Sequence, residues 1–270
     1  MPELPEVHTV VCGLQSSIVG LTVKSSKCSE LTFRGRRMQI EQQELVGRKI
    51  ISCRRRGKYI IIEFESGDIL LIHLGMSGKV LINAGAQKHD HLTITFTNGS
   101  ALIFNDPRRF GVVKFIRRAH FAKEPLLCNL GLEPLELEFT KEALANICAG
   151  RKAQIKSVIM NANLVVGIGN IYASEALYMA GILPNRRSCD LSSQEIQKLH
   201  ASIIEVLNLA IKSGGSTLRD YVRSNGDVGY FQHQFKVYGK HGEPCRACNK
   251  EIQKIVIGAR STFFCNGCQR

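Results

Sequence analysis

Two groups of residues in this 270-residue chain have types and spacing suited to chemistry. Near one end, Cys245, Cys248, Cys265 and Cys268 follow the pattern C-x2-C-x16-C-x2-C, the spacing of a zinc ribbon. Two pairs of thiolates close a tetrahedral zinc site with no open position, so the implied metal is one structural zinc ion. At the other end, Met1 is followed by Pro2, Glu3, Leu4, Pro5 and Glu6. An α-amino group has a pKa of about 8 against about 10.4 for lysine, so roughly a tenth of it is free base at pH 7. Pro2, exposed once Met1 is removed, is therefore a candidate amine nucleophile, with Glu3 and Glu6 as carboxyls beside it. The same residues also suit a proline that merely starts a chain and acids that complement a helix N-terminus. The local residues leave both readings open.

The elements that must position these groups fall into three stretches. Pro5, Val7, Val10, Val11, Leu14 and Ile18, closed by Gly20, have the helical period of a first helix that tethers the N-terminus. From about 21 to 117 the texture is β, with strands expected at 49–54, 59–64, 69–73, 92–97 and 101–104; Asn98-Gly99 is a hairpin signal. After about 130 the pattern is helical. Thr140 is an expected N-cap, and Ser192 with Glu195 forms the capping box of a long helix that ends at Gly214-Gly215. Two shorter helices, about 153–161 and 170–180, are joined by a glycine-bearing turn, so that Asn170 opens the second. A helix N-terminus presented in this way can bind phosphate. Residues 213–231 read as a long loop, and 252–264 as a hairpin with Gly258-Ala259-Arg260 at its tip. The expected fold class is α+β, with a domain at 1–130, a helical region and loop at 131–235, and a zinc module at 236–270.

Thirty-six Lys+Arg against 23 Asp+Glu give a net charge of +13, with an excess of +7 in residues 1–135 and +6 in 136–270. A basic excess spread over the whole chain fits a polyanion lying across both halves. The other six cysteines, Cys12, Cys28, Cys53, Cys128, Cys148 and Cys189, are scattered singly and read as small buried hydrophobes. The first residues lack the character of a signal peptide and no apolar run reaches the ~20 residues of a membrane helix, so a soluble cytoplasmic protein is expected.

Six stretches match one family in order: P-E-L-P-E, R-R-G-K at 55–58, H-L-G-M-S-G at 73–78, D-P-R-R-F-G at 106–111, V-V-G-I-G-N-I-Y-A-S-E at 165–175, and the cysteine hairpin. Together they resemble the formamidopyrimidine-DNA glycosylases. The resemblance implies an N-terminal β-sandwich, a helix-two-turn-helix region with a zinc finger, and damaged duplex DNA crossing the cleft between them. It implies a monomeric, bifunctional glycosylase and abasic-site lyase that releases oxidised purines through a Schiff base on Pro2 and cleaves the strand by β,δ-elimination.

By the same resemblance Glu3 passes protons at the sugar and Glu6 supports it, while Lys58 and Arg260 assist elimination. Lys58, His73, Asn170 and Arg260 match phosphate contacts, which orient DNA without reading sequence. Met76, Arg108 and Phe110 match residues that fill the void left by a flipped nucleotide, with Arg109 beside them. Lys156 matches a lysine that handles the oxidised purine, although a helix-surface lysine is also compatible with its local sequence. Arg219 and Tyr230 fall in the loop that closes over the flipped base. His8 departs from the family pattern, where glutamate is common. Two alternatives differ in kind: an endonuclease VIII-like enzyme for oxidised pyrimidines, and a non-enzymatic zinc protein that binds nucleic acid. Leu4 and the two glycine-bearing turns favour the purine branch.

Overall fold

The computed structural model describes residues 1–33, 38, 40–216 and 231–270, apart from the Gln42 side chain. The described chain forms two compact units. One comprises Met1–Cys128 with the described part of Ser213–Gln232; the other comprises Asn129–Lys212 with the described part of His233–Arg270.

The first unit opens with α1 (Leu4–Ile18), which has Pro5 in its first turn. Eight strands follow: β1 (Val23–Cys28), β2 (Ile50–Arg56), β3 (Tyr59–Phe64), β4 (Ile69–His73), β5 (Lys79–Ile82), β6 (Asp90–Phe96), β7 (Ala101–Asn105) and β8 (Val112–Ile116). The one-turn helices α2 (Gln42–Leu45) and α3 (Arg118–Phe121) lie before β2 and after β8. The strands make two antiparallel four-stranded sheets, ordered β1-β6-β7-β5 and β2-β3-β4-β8. Alternate residues of both sheets, among them Ile60, Ile62, Phe64, Leu92, Ile94 and Phe104, join Val7, Val10, Leu14 and Ile18 of α1 in one core. This is the expected β-sandwich.

The run Tyr59–Phe64 is apolar at nearly every position because β3 is covered on both faces. Ile60 and Ile62 face the core, whereas Ile61 packs with Ile69, Leu71 and Ile116 against Phe121, Leu126 and Leu127. Strands β1, β5 and β8, outside the five expected segments, complete the sheets; β1 is an edge strand with only Val23 buried.

The second unit contains α4 (Lys141–Cys148), α5 (Ile155–Ile159), α6 (Asn170–Ala180), α7 (Ser193–Lys212) and the hairpin β9 (Gln253–Ile257)–β10 (Arg260–Phe264). Thr140 caps α4 by accepting the Ala143 N–H at 3.1 Å. The Ser192–Glu195 box forms in both directions, at 2.8 and 3.3 Å. Ile196, Leu199, Ile203, Val206, Leu207 and Ala210 form the buried stripe of α7. Among the described residues, no helix is long and apolar enough to cross a membrane. The single cysteines correct the sequence expectation: Cys53 and Cys148 are buried, but Cys12, Cys128 and Cys189 are exposed. An apolar sequence neighbourhood does not fix which way a small side chain points.

Candidate active site and nucleic-acid interface

At the start of α1, Met1 is exposed while Pro2, Glu3 and Glu6 are buried. Glu3 is the N-cap of a reciprocal capping box, and its backbone N–H donates to Glu6 Oε2 at 2.8 Å. The other Glu6 oxygen, Oε1, accepts both the N–H and the hydroxyl of Ser216, at 2.8 and 2.9 Å. Gly215 allows this close approach: it has φ +81°, and a Cβ there would stand 3.1 Å from Glu6 Oε1. Glu6 thus pins the N-terminal turn to residues 215–216. Sequence reading found Glu6 but not its Ser216 partner. One turn along, His8 lies 3.5 Å from Cys12 Sγ. Burial, aided by the Arg55 charge, lowers its pKa, so the ring is neutral at pH 7.

Lys58 lies with Gly57 at the two-residue turn between β2 and β3, just beyond the Arg56–Tyr59 pair. Gly57 has φ +55°, the glycine-first geometry of a tight hairpin. Tyr59 pairs with His73 across the sheet, their rings 4.9 Å apart. His73 Nδ1 accepts the Gly75 N–H at 3.0 Å, which places the proton of the neutral ring on Nε2. Both Lys58 and His73 are half-buried.

The turns 73–78 and 106–111 pack backbone against backbone. A Cβ at Gly75 would fall 2.4 Å from the Phe110 carbonyl carbon, a contact that no side chain permits. Between the turns lies Asp106, fully buried, a residue whose role the sequence did not reveal. Its Oδ1 accepts the Ser77 hydroxyl at 2.6 Å and the Arg108 N–H at 3.3 Å, and its Oδ2 accepts the Gly111 N–H at 2.8 Å. This carboxylate shapes a turn that holds Arg109 at φ +54° and leaves Arg108 and Arg109 exposed, with Met76 and Phe110 half-buried. The Arg108 guanidinium stands 4.9 Å from the centre of the Phe110 ring. Phe110→Ala should slow base release from intact lesion duplexes by about tenfold, since one lost stacking contact is worth about 1–3 kcal/mol. Cleavage at a preformed abasic site should change much less, because its extrusion barrier is lower. Single-turnover rates on the two substrates check this; equal losses would contradict it.

In the second unit, Asn170 opens α6 behind N-cap Gly169. Its amide donates to the Ser261 carbonyl at 2.8 Å, and its Oδ1 accepts from Lys156 Nζ. Lys156 Nζ also donates to the Thr262 hydroxyl at 2.6 Å. Lys156 and Thr262 are both 0% exposed. The alternative of a helix-surface lysine is thereby corrected: the ammonium is held inside by partners from α6 and β10, and both of these are remote in sequence. Glu175, also buried, accepts the backbone N–H groups of Lys236, Val237 and Tyr238 at 2.8–3.0 Å, fixing the chain as it enters the cysteine module. Sequence reading quoted Glu175 within a motif but gave it no role.

The Sγ atoms of Cys245, Cys248, Cys265 and Cys268 all lie within 4.8 Å of one another. The 245–268 and 248–265 pairs are 3.8 and 3.3 Å apart, far beyond a disulfide bond of about 2.05 Å. Four thiols so gathered suit zinc, for which Zn–S bonds of about 2.3 Å place sulfurs about 3.8 Å apart. The cluster is consistent with one structural zinc. The Tyr178 hydroxyl lies 3.3 Å from Cys245 Sγ, where it can support a thiolate ligand. Arg260 is exposed beside the turn of the hairpin, where Gly258 and Ala259 both have positive φ, +56° and +57°.

Three family models match in order: the formamidopyrimidine-DNA glycosylase N-terminal domain over residues 1–113, the H2TH domain of that family over 130–222, and a zinc finger found in FPG and IleRS over 242–270. The chain belongs to the formamidopyrimidine-DNA glycosylase family. It is 44% identical to the Alteromonas mediterranea formamidopyrimidine-DNA glycosylase over 277 residues, spanning all of both chains. The crystal structure of MutM (Fpg) from Thermus thermophilus is similar with a TM-score of 0.89 and 34% identity, over 99% of this chain and 98% of that one. A Lactococcus lactis Fpg mutant in complex with DNA containing Fapy-dG gives 0.89 and 38%, over the full length of both.

Among the residues that the glycosylase resemblance singled out, the structure brings together Pro2, Glu3 and Glu6 on one turn, and Met76, Arg108, Arg109 and Phe110 on two joined turns. In the second unit it links Lys156 to Asn170. Arg219 and Tyr230 lie outside the described residues.

Proposed function

We propose that this member of the family is a bifunctional DNA glycosylase and abasic-site lyase of base-excision repair, removing oxidised purines from duplex DNA with Pro2 as nucleophile. The reading is carried by the buried carboxylate pair that immediately follows Pro2. Glu3 and Glu6 hold the N-terminal turn in place, and Glu3 is the residue next to the one that bears the amine. The Pro2 nitrogen attacks C1′ and the glycosidic bond breaks, its electron pair leaving with the base, which takes up a proton. Glu3 delivers a proton to the ring oxygen as the C1′–O4′ bond opens, leaving an iminium ion. The iminium acidifies the C2′ hydrogen, so its removal expels the 3′ phosphate and a second elimination expels the 5′ phosphate.

Lys58, with Arg260 on the zinc hairpin, stabilises the departing phosphates in this scheme, and His73 and Asn170 orient the backbone. Met76, Arg108 and Phe110 fill the vacated space in the duplex. Lys156 acts by holding Asn170, because its ammonium is enclosed. Arg219 and Tyr230 are proposed contacts of the loop over the flipped base. One zinc stabilises the hairpin, and the protein works as a cytoplasmic monomer on damaged DNA. The division at about 130 and 235 separates the catalytic, helical and zinc segments.

The deciding experiment incubates the protein with duplexes that each carry one defined lesion and resolves the released bases and strand ends. Release of 8-oxoguanine and formamidopyrimidines with phosphate at both ends of the gap is expected. Preferential release of oxidised pyrimidines, or binding without excision, would overturn the reading. DNA affinity should fall steeply with salt through counterion release, and Arg260→Ala should lower the log-log slope by about one while weakening damaged and undamaged DNA alike. A salt titration with both duplexes measures it; an unchanged slope would remove Arg260 from the contacts.

A further inference from the structure

Histidine 91, on β6, is a buried imidazole that the reaction scheme does not use. It is 2% exposed and stands edge-on to Phe33, with ring centroids 4.8 Å apart. Its Nε2 lies 3.0 Å from the carbonyl oxygen of Asp106, the same oxygen that accepts the Arg109 N–H at 3.2 Å. Its Nδ1 is buried with no hydrogen-bond partner among the described residues. A carbonyl only accepts, so Nε2 carries the proton and Nδ1 the lone pair. The backbone of Asp106 is therefore fixed from one side by His91, while its carboxylate is fixed from the other by Ser77, Arg108 and Gly111.

We propose that His91 is a positioning residue for lesion excision from duplex DNA: its Nε2–H holds the Asp106 carbonyl and so sets the 106–111 turn that presents Arg108 and Phe110. This rests on the proposed glycosylase function and adds to it a residue that touches no DNA. The ring works as the neutral Nε2–H tautomer. A second proton would give Nδ1 a buried N–H with no acceptor among the described residues. Among the described residues, the charged or titratable groups acting on the ring are His89, Asp106 and Arg109. Burial outweighs the Asp106 contribution and lowers the pKa, with His89 and Arg109 acting in the same direction. The sign follows: the turn is intact at neutral pH and is weakened as pH falls through the ring's lowered pKa, which lies below the ordinary histidine value of about 6.5.

The test uses the full chain and two duplexes, one with a single 8-oxoguanine and one with a preformed abasic site. His91→Phe keeps the ring volume and removes the donor; His91→Gln keeps a donor near the position of Nε2. His91→Phe is expected to lower the excision rate relative to abasic cleavage by about fivefold, the range of one hydrogen bond, and His91→Gln to recover most of that ratio. An unchanged ratio in His91→Phe, or no recovery in a folded His91→Gln, overturns the proposal. Should His91→Phe fail to fold, the 15N shifts of the wild-type ring decide: a neutral Nε2–H tautomer at pH 7.5 supports the proposal, whereas an Nδ1–H tautomer or an imidazolium overturns it. Wild-type excision of 8-oxoguanine tests the glycosylase reading separately.

Discussion

Protein that retains Met1, or carries one added residue before Pro2, should release no base above background and form no borohydride-trapped crosslink, yet bind lesion DNA nearly as well as the processed chain. The phosphate contacts proposed for Lys58, His73, Asn170 and Arg260 lie elsewhere, so blocking the amine removes chemistry without removing affinity. An acylated nitrogen is an amide, whose lone pair is delocalised into the carbonyl and cannot form an iminium ion. Pro2→Gly still offers a terminal amine and should retain part of the activity. Glu3→Gln should bind but excise at least about tenfold more slowly, through loss of proton transfer. Its glutamine oxygen can still accept the Glu6 N–H of the capping box, so the helix start should survive. Mass spectrometry of the reduced crosslink should place the sugar on the N-terminal peptide. An adduct on Lys58 or another lysine, or full excision from a blocked terminus, would disprove the amine mechanism.

Cys245→Ser should abolish zinc binding and with it most DNA binding. A closed thiolate site contributes on the order of 10 kcal/mol to the folding of its module, so the hairpin cannot stand without it. The loss should spread along one route. Thr262 and Ser261 of β10 hold Lys156 and Asn170, so an unfolded hairpin releases the N-terminus of α6 as well. The β-sandwich has its own core and should remain folded. Metal analysis of purified protein should find one zinc per wild-type chain and none in the variant. Hydrogen exchange should show loss of protection at β9, β10 and Asn170 but not in β3 or β4. Zinc at full occupancy in the variant, or undiminished DNA affinity, would contradict the assignment.

What the sequence made legible follows the range of the interaction. The Ser192–Glu195 box, the Asn98-Gly99 turn and the stripe of α7 are set by residues a few positions apart, and the four cysteines by two C-x2-C pairs whose spacing is itself the signal; all appear as expected. Edge strand β1, Val-Lys-Ser-Ser-Lys-Cys, has too little apolar content to stand out, since its partner β6 supplies the pairing. Lys156 looked compatible with a helix surface because its acceptors lie 14 and 106 positions away. Asp106 was visible as a motif letter, but its work depends on Ser77, 29 positions earlier. The site residues were recognised by motif; the groups that hold them were not, because nothing near them in the chain announces the partner.

The clamp on Glu6 also constrains the order of assembly. Its Ser216 partner lies 210 positions later in the chain. A polypeptide emerging from the ribosome presents the N-terminal helix early, and the sandwich strands can gather around it once residue 116 is out. Throughout that interval the Glu6 carboxylate lacks the hydrogen bonds from Ser216, and the turn bearing the amine has only its local capping box. The N-terminal turn, although synthesised first, is therefore among the last parts of its unit to reach final form, and removal of Met1 can take place before the clamp closes on it.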